Sequence, residues 1–441
     1  MALARYKTVV DEYAYLIRNG KLRPGTQLPT LRQLMHEHGI ALATASRVYA
    51  ELERHGLVSC EMGRGTFVRD TSLPRGLGLE QQALQSGAVD LVFNYPCLPG
   101  QDEMLREALR SIASSGDLDA LLHAAPQGGR LHERQIFARH LRNRGLRLPA
   151  SQVLIVNGAQ QALAVTVQAF LAPGDILVMD ALTFPGMKTL AQSARLDVEA
   201  LPLLSGKLNL PALAALCLRR PVRAVYVMPT MHNPMGTVMT EKERLQLARL
   251  AQQYQFLIIE DGAYAFLAEH APKPVFVHAP EQTIYISGLS KSVASGLRIG
   301  MLAAPATKIA ALETAIRVTS GNTPSLMIAL ACRWIEDGAV DALEIKKRKD
   351  ARKRQQLARM ALPDCMLTAH SSAYYLWLSL PEGLRADQIA ASLAQQGVMV
   401  ATAEAFSASI ALPQALRLAL GSVPPDILST ALAKVNEACK V

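Results

Sequence analysis

The chain has 441 residues, of which 50% are hydrophobic and 19% charged, and this composition excludes a largely disordered protein. No apolar run reaches about 18 residues, so we expect no transmembrane helix, and the N-terminus lacks the apolar segment of a signal peptide. The six cysteines show no CxxC or zinc spacing, which predicts free thiols, no metal site and a cytoplasmic location. A net charge of +9 permits a polyanionic partner without requiring one.

The first 70 residues, which we call the head, are predicted to form three helices followed by a two-stranded wing. Apolar spacing predicts helices over about residues 6–18, 30–38 and 43–55, with Thr30 as an N-cap and Gly39 at a bend. The segment LVSCEMGRGTFVRD then predicts two short strands, with the Gly-Arg-Gly at residues 63–65 as the tip between them.

Residues 71–90 carry Pro74, Gly76 and Gly78, and they predict a flexible linker that spans roughly 25 Å. Residues 91–441, which we call the body, alternate apolar runs with amphipathic stretches. The runs VLIV, DILVMD, AVYVMPT, FLIIED and TIYIS predict strands of a mostly parallel α/β sheet with helices on both faces. Ligands bind at the strand ends of such sheets. From about residue 335, a smaller α+β part is expected.

The stretch TIYISGLSKSVASGLRIGM, residues 283–301, places a lysine shortly after a buried strand. A desolvated lysine shifts its pKa readily and forms Schiff bases with aldehydes. Ser290 beside Lys291, and Arg298 seven residues later, are suited to holding a phosphate group. This combination predicts pyridoxal phosphate (PLP) as a cofactor, and the alternative is a surface lysine at the start of a helix.

Three more motifs at strand ends, GAQ after VLIV, HNPMG after AVYVMPT and DGAY after FLIIE, accompany this lysine. Together they resemble the cofactor-binding landmarks of fold-type I aminotransferases over about residues 90–441. The head resembles the winged helix-turn-helix of the GntR family through G-x-L-x-P-G-x-x-L-P and G-x-G-T-F-V. The whole chain resembles the MocR subfamily of GntR regulators, which implies a homodimer with each head near the other subunit's body.

The resemblance implies a role for each residue of the cofactor site. Lys291 would form the Schiff base, and Asp261 would pair with the pyridine nitrogen and keep it protonated. Asn233 and Tyr264 would hydrogen-bond the phenolic oxygen, and Phe184 would stack on the ring or else pack in the core. The opening of one helix and two side chains would hold the phosphate, namely Gly158, Ala159, Gln160, Ser290 and Arg298.

Arg417, in ALRLALG, matches the arginine that grips a substrate carboxylate, although a surface strand arginine is the alternative. Three departures from the family pattern bear on catalysis. Gly288 stands where relatives usually have Ser or Thr, His123 where the family has Tyr, and Ala125 where Asp is usual. We therefore expect a site that holds PLP but is poorly tuned for turnover.

The resemblance also implies how the head meets DNA. The third helix would enter the major groove while the wing rests on the DNA backbone. Ten Lys and Arg against seven Asp and Glu over residues 1–70 give a modest charge, so we expect a dimer that reads two half-sites. The alternative is a vestigial or protein-binding winged helix. The residues expected to face DNA are Arg32, Thr44, Ser46, Arg47, Arg64 and Gly65.

The favoured function is a PLP-dependent transcriptional regulator that senses PLP or an amino-acid-like amine by aldimine exchange at Lys291. Two alternatives stay open: an active aminotransferase with a retained head, and a DNA-binding protein whose body serves only in dimerisation. A basic run, EIKKRKDARKRQQLAR at residues 344–359, is predicted to be a solvated helix face. Its alternative is a patch for bent DNA or a mobile head.

Overall fold

A computed structural model describes residues 5–18, 21–23, 25–54, 57–61, 65–68, 88–115, 118–409 and 412–440. In the head, helices α1 (Arg5–Arg18), α2 (Leu31–His38) and α3 (Leu42–Arg54) precede an antiparallel pair, β1 (Val58–Glu61) and β2 (Gly65–Val68). These elements confirm the predicted winged helix-turn-helix. Arg64 and most of the predicted linker lie outside the described residues.

Local sequence explains where the second head helix begins and ends. The hydroxyl of Thr30 accepts a hydrogen bond from the backbone N–H of Gln33, and the side chain of Gln33 accepts one from the backbone N–H of Thr30. Gly39 ends the helix in the left-handed conformation, which costs glycine little. Leu34, on the inner face of this helix, packs into the apolar core between the three helices.

The body contains two sheets. Their strands are β3 (Val89–Leu91), β4 (Val153–Val156), β5 (Ile176–Asp180), β6 (Asp197–Leu201), β7 (Val222–Val227), β8 (Leu257–Asp261), β9 (Thr283–Gly288), β10 (Gly300–Ala303), β11 (Met366–Thr368), β12 (Tyr375–Ser379), β13 (Val398–Thr402) and β14 (Ala415–Ala419).

The sheets are flanked by helices along the whole body. In chain order these are α4 (Gln101–Ser115), α5 (Leu118–Leu122), α6 (Leu131–Leu141), α7 (Gly158–Phe170), α8 (Pro185–Ser193), α9 (Leu210–Cys217), α10 (Glu241–Tyr254), α11 (Ala306–Thr319), α12 (Ser325–Glu336), α13 (Ala339–Ala361), α14 (Ala386–Gln395), α15 (Ala403–Phe406) and α16 (Pro425–Ala438). Across the described residues, none of the helices is both long and apolar enough to cross a membrane.

The larger sheet has the strand order β4-β10-β9-β8-β7-β5-β6, and its strands pair in parallel except where β10 meets β4 and β9. Helices cover both faces, as the uninterrupted apolar strands predicted. In β4, Val153 and Ile155 pack into one apolar cluster with α6 and α12, while Leu154 and Val156 pack into another with α7 and α11. The mostly parallel α/β sheet is therefore confirmed, and β10 is the antiparallel addition that the sequence pattern did not reveal.

The smaller sheet has the order β11-β12-β14-β13-β3. Together with its helices, it forms the α+β part that was expected near the C-terminus. Its edge strand β3 comes from the opposite end of the body and pairs in parallel with β13, with Val89 opposite Val398. The first strand after the linker therefore pairs with the smaller sheet. From there the chain crosses to α4 in the larger half of the body.

The wing of the head lies against the body of the same chain. Arg385, just before α14, donates from Nη2 to the hydroxyl of Ser59 at 3.2 Å, and its guanidinium carbon lies 4.5 Å from the ring centroid of Phe67. Arg385 is itself buried at this contact and also pairs with Asp387. The contact joins the two strands of the wing to the smaller half of the body.

The basic run lies on α13 and is only partly a solvated face. Lys346 and Lys349 are exposed, but Lys347 and Arg354 are buried. Arg354 donates from Nη1 to the carbonyl oxygens of Leu420 and Val423, both at 2.6 Å. The predicted solvated face therefore describes only part of the run, because the helix crosses between the two halves of the body and its inner cations satisfy loop carbonyls that would otherwise be buried without partners.

Candidate functional site

The candidate site lies where the parallel strands of the larger sheet end. Gly158 begins α7 directly after β4, and Asn233 follows β7. Asp261 is the last residue of β8, and Lys291 comes three residues after β9. Because β7, β8 and β9 are adjacent and parallel, their ends meet at one edge of the sheet, where ligands bind in folds of this type.

Lys291 is half-buried in a turn beside aromatic rings. Its Nζ donates to the carbonyl oxygen of Asn94 at 2.6 Å. The ring centroids of Tyr95 and Tyr264 lie 5.3 and 5.7 Å from the same atom. The amine is therefore placed against ring faces and a main-chain segment rather than in open solvent, and it is close to the end of β8.

Asp261 is buried and accepts two hydrogen bonds from neutral donors. Its Oδ2 accepts from the hydroxyl of Tyr226 at 2.8 Å, and its Oδ1 accepts from the backbone N–H of Ala263 at 2.9 Å. Burial raises the pKa of Asp261 in spite of these bonds. A cationic group placed beside this carboxylate would offset the cost of burying its charge.

Tyr226 is a site residue that the sequence analysis missed. It is fully buried, and burial together with the charge of Asp261 raises the pKa of its hydroxyl well above the usual value. The hydroxyl therefore stays protonated and donates. The available signal was one hydroxylated side chain inside the apolar run AVYVM, since a buried phenol needs a partner.

The loop that carries Asn233 is fixed by Tyr375, another residue that the sequence analysis missed. The hydroxyl of Tyr375 lies 2.9 and 3.0 Å from the carbonyl oxygens of Met231 and His232. Its ring packs edge-on against Tyr264, with centroids 5.1 Å apart. Asn233 is buried, and its amide oxygen has no hydrogen-bond partner among the described residues.

The start of α7 and the side chain of Arg298 form a cationic corner. A Cβ added to Gly158 would lie 3.1 Å from Nη2 of Arg298, so the guanidinium lies directly against the first residue of the helix. A Cβ on Gly300 would come within 2.4 Å of the carbonyl carbon of Gly158, so only glycine fits there. Free N–H groups at a helix start together with a guanidinium suit an anion such as phosphate.

The other residues of the expected phosphate and ring site lie around this corner. The Nε2 of Gln160 donates to the carbonyl oxygen of Gly186 at 3.1 Å, beside the ring of Phe184. Phe184 is half-buried and packs against the apolar cluster below α7. Ala159 and Ser290 are half-buried, in the first turn of α7 and in the turn before Lys291.

Arg417 is on the central strand β14 of the smaller sheet and is buried. Its Nη1 donates to the carbonyl oxygen of Val92 at 2.8 Å, while its Nε has no partner among the described residues. The guanidinium carbon lies 5.0 Å from the ring centroid of Phe406 and 5.7 Å from that of Tyr375. It is therefore an interior arginine between aromatic rings, not the surface arginine of the alternative reading.

In the head, the residues expected to meet DNA lie on the surface of two helices and the wing. Arg32, Ser46 and Arg47 are exposed, and Thr44 is half-buried near the start of α3. The guanidinium carbon of Arg47 lies 4.2 Å from the ring centroid of Tyr6, so α1 orients this side chain. Gly65 begins β2 with a φ of 120°, a conformation that favours glycine.

Two family models match separate parts of the chain. The family model described as "Aminotransferase class I and II" matches residues 88–435. The model described as "Bacterial regulatory proteins, gntR family" matches residues 5–68. Because the first of these matches covers most of the chain, it establishes the family of the body.

Two transcriptional regulators are similar to this chain over nearly its whole length. The HTH-type transcriptional regulator YdeF of Bacillus subtilis is 27% identical over 415 residues, which is 93% of this chain and 88% of the relative. TauR of Rhodobacter capsulatus, also an HTH-type transcriptional regulator, is 24% identical over 460 residues, with 96% and 94% covered.

A kynurenine aminotransferase of Pyrococcus horikoshii, solved in complex with PMP, is 25% identical and has a TM-score of 0.75 over 82% of this chain and 93% of that one. The fold-type I body is therefore confirmed, together with the gntR-type head. The chain belongs to the class I and II aminotransferase family and has the organisation of HTH-type transcriptional regulators of the MocR type.

Proposed function

We propose that this chain is a PLP-dependent, DNA-binding transcriptional regulator whose body senses PLP, or an amino-acid-like amine, at Lys291. The observation that carries the proposal is the convergence of three groups at one sheet edge. These are the half-buried amine of Lys291, the buried carboxylate of Asp261 and the cationic corner at Arg298. PLP presents an aldehyde, a pyridine nitrogen and a phosphate, which are the three groups these side chains suit.

The donor set supports PLP in detail. Burial raises the pKa of Asp261, and a protonated pyridine nitrogen beside it would stabilise the charged carboxylate. The oxygen of the buried Asn233 amide has no partner within the described part of the chain, and this amide would face polar atoms of the ring. Gly158, Ala159, Gln160 and Ser290 would complete the phosphate site around Arg298, with Phe184 beside the ring. When bound, PLP supplies an electron sink, and this chain supplies its orientation.

The ligand class follows from Arg417. Arg417 contacts the ring of Tyr375, which packs against Tyr264, and the ring of Tyr264 lies beside Lys291. These contacts connect Arg417, which suits a carboxylate, with Lys291, at which an amine would exchange. In a ligand that has both groups, the primary amine would displace Lys291 and the carboxylate would be bound by Arg417. Such a ligand can shift the position of the head only if it binds one conformation of the body more tightly than another, and only by that difference in binding free energy.

The proposal includes a homodimer whose two heads read two half-sites of one operator. Apolar side chains are exposed on three successive helices, α4, α5 and α6, and they support a dimer interface on the surface that these helices form. Among them, Leu122 on α5 is 85% exposed and Leu131 on α6 is 64% exposed. The side chain of His123, 70% exposed, stands at the same surface, where it would approach the partner's site.

The decisive experiment is operator binding with and without PLP, for wild type and Lys291→Ala. The proposal expects PLP to change the affinity of the wild type several-fold and to leave the variant unchanged. Equal affinities under all four conditions would remove PLP sensing from the account, and an absence of DNA binding throughout would remove the role of the head.

A second candidate is a working aminotransferase with a retained head. The hydrogen bond from Tyr226 to Asp261 favours it, because it holds a carboxylate where turnover would need one. Product formation from an amino acid and a keto acid separates the two candidates. Many equivalents of product per site would establish the enzyme, whereas one equivalent or less, with intact ligand exchange, would support the regulator.

A further inference from the structure

The turn that carries Lys291 is held by a second lysine. Lys347, on α13, is fully buried, and its Nζ donates to three carbonyl oxygens. These belong to Pro96 at 2.6 Å, Val293 at 2.7 Å and Lys291 itself at 3.1 Å. An ammonium group has three hydrogens, so every donor of Lys347 has an acceptor.

This arrangement is specific to one side chain of the basic run. Lys346 and Lys349, on the same helix, are exposed, and only Lys347 among these three is turned inward. Burial lowers the pKa of Lys347 to about 8, so at neutral pH the group still carries most of its charge. Burying a cation is unfavourable, and here carbonyls from the turn of Lys291 and from the segment facing it offset this.

The second segment, residues 94–96, meets both lysines. The carbonyl of Asn94 accepts from Lys291 and that of Pro96 accepts from Lys347. The carbonyl of Val293, which accepts from Lys347, also accepts from Nε2 of Gln101 at 2.9 Å. Lys347 therefore links α13 to the main chain of residues 291–293 and also to the facing segment, residues 94–96.

We propose that Lys347 is a positioning residue for Lys291, which fixes the main chain at residues 291–293 so that the ε-amine is presented to the aldehyde of PLP. The inference rests on the proposed function, because it assigns a task to Lys347 only if Lys291 captures PLP. In that capture the nitrogen of Lys291 bonds to the aldehyde carbon and one water leaves. Lys347 makes and breaks no covalent bond.

A double-mutant cycle tests the assignment by measuring PLP affinity in wild type, Lys347→Met, Lys291→Ala and the double variant. With Lys291 present, loss of the charge-assisted hydrogen bonds of Lys347 is expected to weaken PLP binding about tenfold. Without Lys291, the same substitution should change the affinity less than about twofold. The matched control is Lys346→Met, which removes an exposed lysine from the same helix and should leave the affinity unchanged.

Equal losses in both backgrounds would overturn the positioning role, because a general disturbance of the site does not depend on Lys291. Wild type that takes up no PLP would overturn the proposed function together with this assignment. Should Lys347→Met fail to fold, Lys347→Gln, which keeps an amide donor, enters the same cycle. Hydrogen exchange at residues 291–293 is a second readout, and faster exchange confined to this turn and to residues 94 and 95 is expected in either variant.

Discussion

The hydroxyl of Tyr226 donates a 2.8 Å hydrogen bond to Oδ2 of Asp261, joining two buried side chains on adjacent strands of the larger sheet. Removing it in Tyr226→Phe leaves the carboxylate oxygen without this donor and favours the protonated acid, which pairs poorly with a pyridinium. We expect PLP affinity to fall about tenfold, measured by absorbance titration. Tyr254→Phe, on α10, is the control, and an unchanged affinity in Tyr226→Phe would separate this bond from PLP binding.

Substitution of Arg417 tests the class of ligand. In Arg417→Gln, PLP uptake should be retained, while amino acids that displace Lys291 should bind at least about tenfold more weakly. An amine that lacks a carboxylate should bind both proteins equally, since it has no group for the guanidinium. Spectral titration of PLP-loaded protein with paired ligands gives the comparison. Equal weakening for both ligands would mean that Arg417 has only a structural role.

The stability of the chain should depend on pH through His140. Burial, and then the charge of Arg144, lowers the pKa of His140 from its usual 6.5 to about 3, although the Asp341 carboxylate lies 3.9 Å away. Above pH 6.5, neutral His140 therefore makes its full contribution to the stability of the folded chain. This contribution to the free energy of unfolding is lost as the pH falls from 6.5 towards 3, by about 1.4 kcal/mol per pH unit.

Denaturant unfolding of wild type and His140→Gln, between about pH 7.5 and 5, checks this dependence. Glutamine does not titrate, so the variant should lose less stability on acidification than the wild type. His270→Gln, at an exposed position, is the control and should follow the wild type. Parallel curves for all three proteins would contradict the prediction.

Removal of Arg385 should release the wing from the body. In Arg385→Ala the hydrogen bond to Ser59 and the contact with the ring of Phe67 are both lost. We expect amide hydrogen exchange in β1 and β2 to rise about tenfold. Arg333→Ala, an exposed site on α12, is the matched control. If exchange in the wing does not change, the contact contributes nothing to its placement.

Arg47 should act through the phosphates or the base edges of DNA. If it contacts a phosphate, Arg47→Ala weakens binding to all duplexes alike and makes the salt dependence shallower by about one ion. If it contacts a base, the loss is confined to the operator. Fluorescence anisotropy at several salt concentrations, on operator and unrelated duplexes, distinguishes these outcomes. Arg106→Ala, an exposed body residue, is the control, and full binding by Arg47→Ala would exclude Arg47 from the interface.

The motifs of the candidate site were predictable because each is a short segment with its own strand or turn. Lys291 after β9, Asp261 at the end of β8 and Gly158 after β4 follow from local apolar patterning, which places them all at one edge of the sheet. Their supporting side chains were not predictable in this way. Lys347 reaches Pro96 across 251 positions of sequence, and no local pattern indicates such a contact.

The sequence by itself determined the two-part organisation, the winged head, the parallel sheet of the body and the order of its motifs, because helical and strand periodicities and capping residues act over a few neighbours. The tertiary structure alone decided which charges of the basic run turn inward, which phenol bonds Asp261, and where the wing meets the body. These depend on distant segments brought together by burial, where a polar group must find whichever partner the packing leaves within reach.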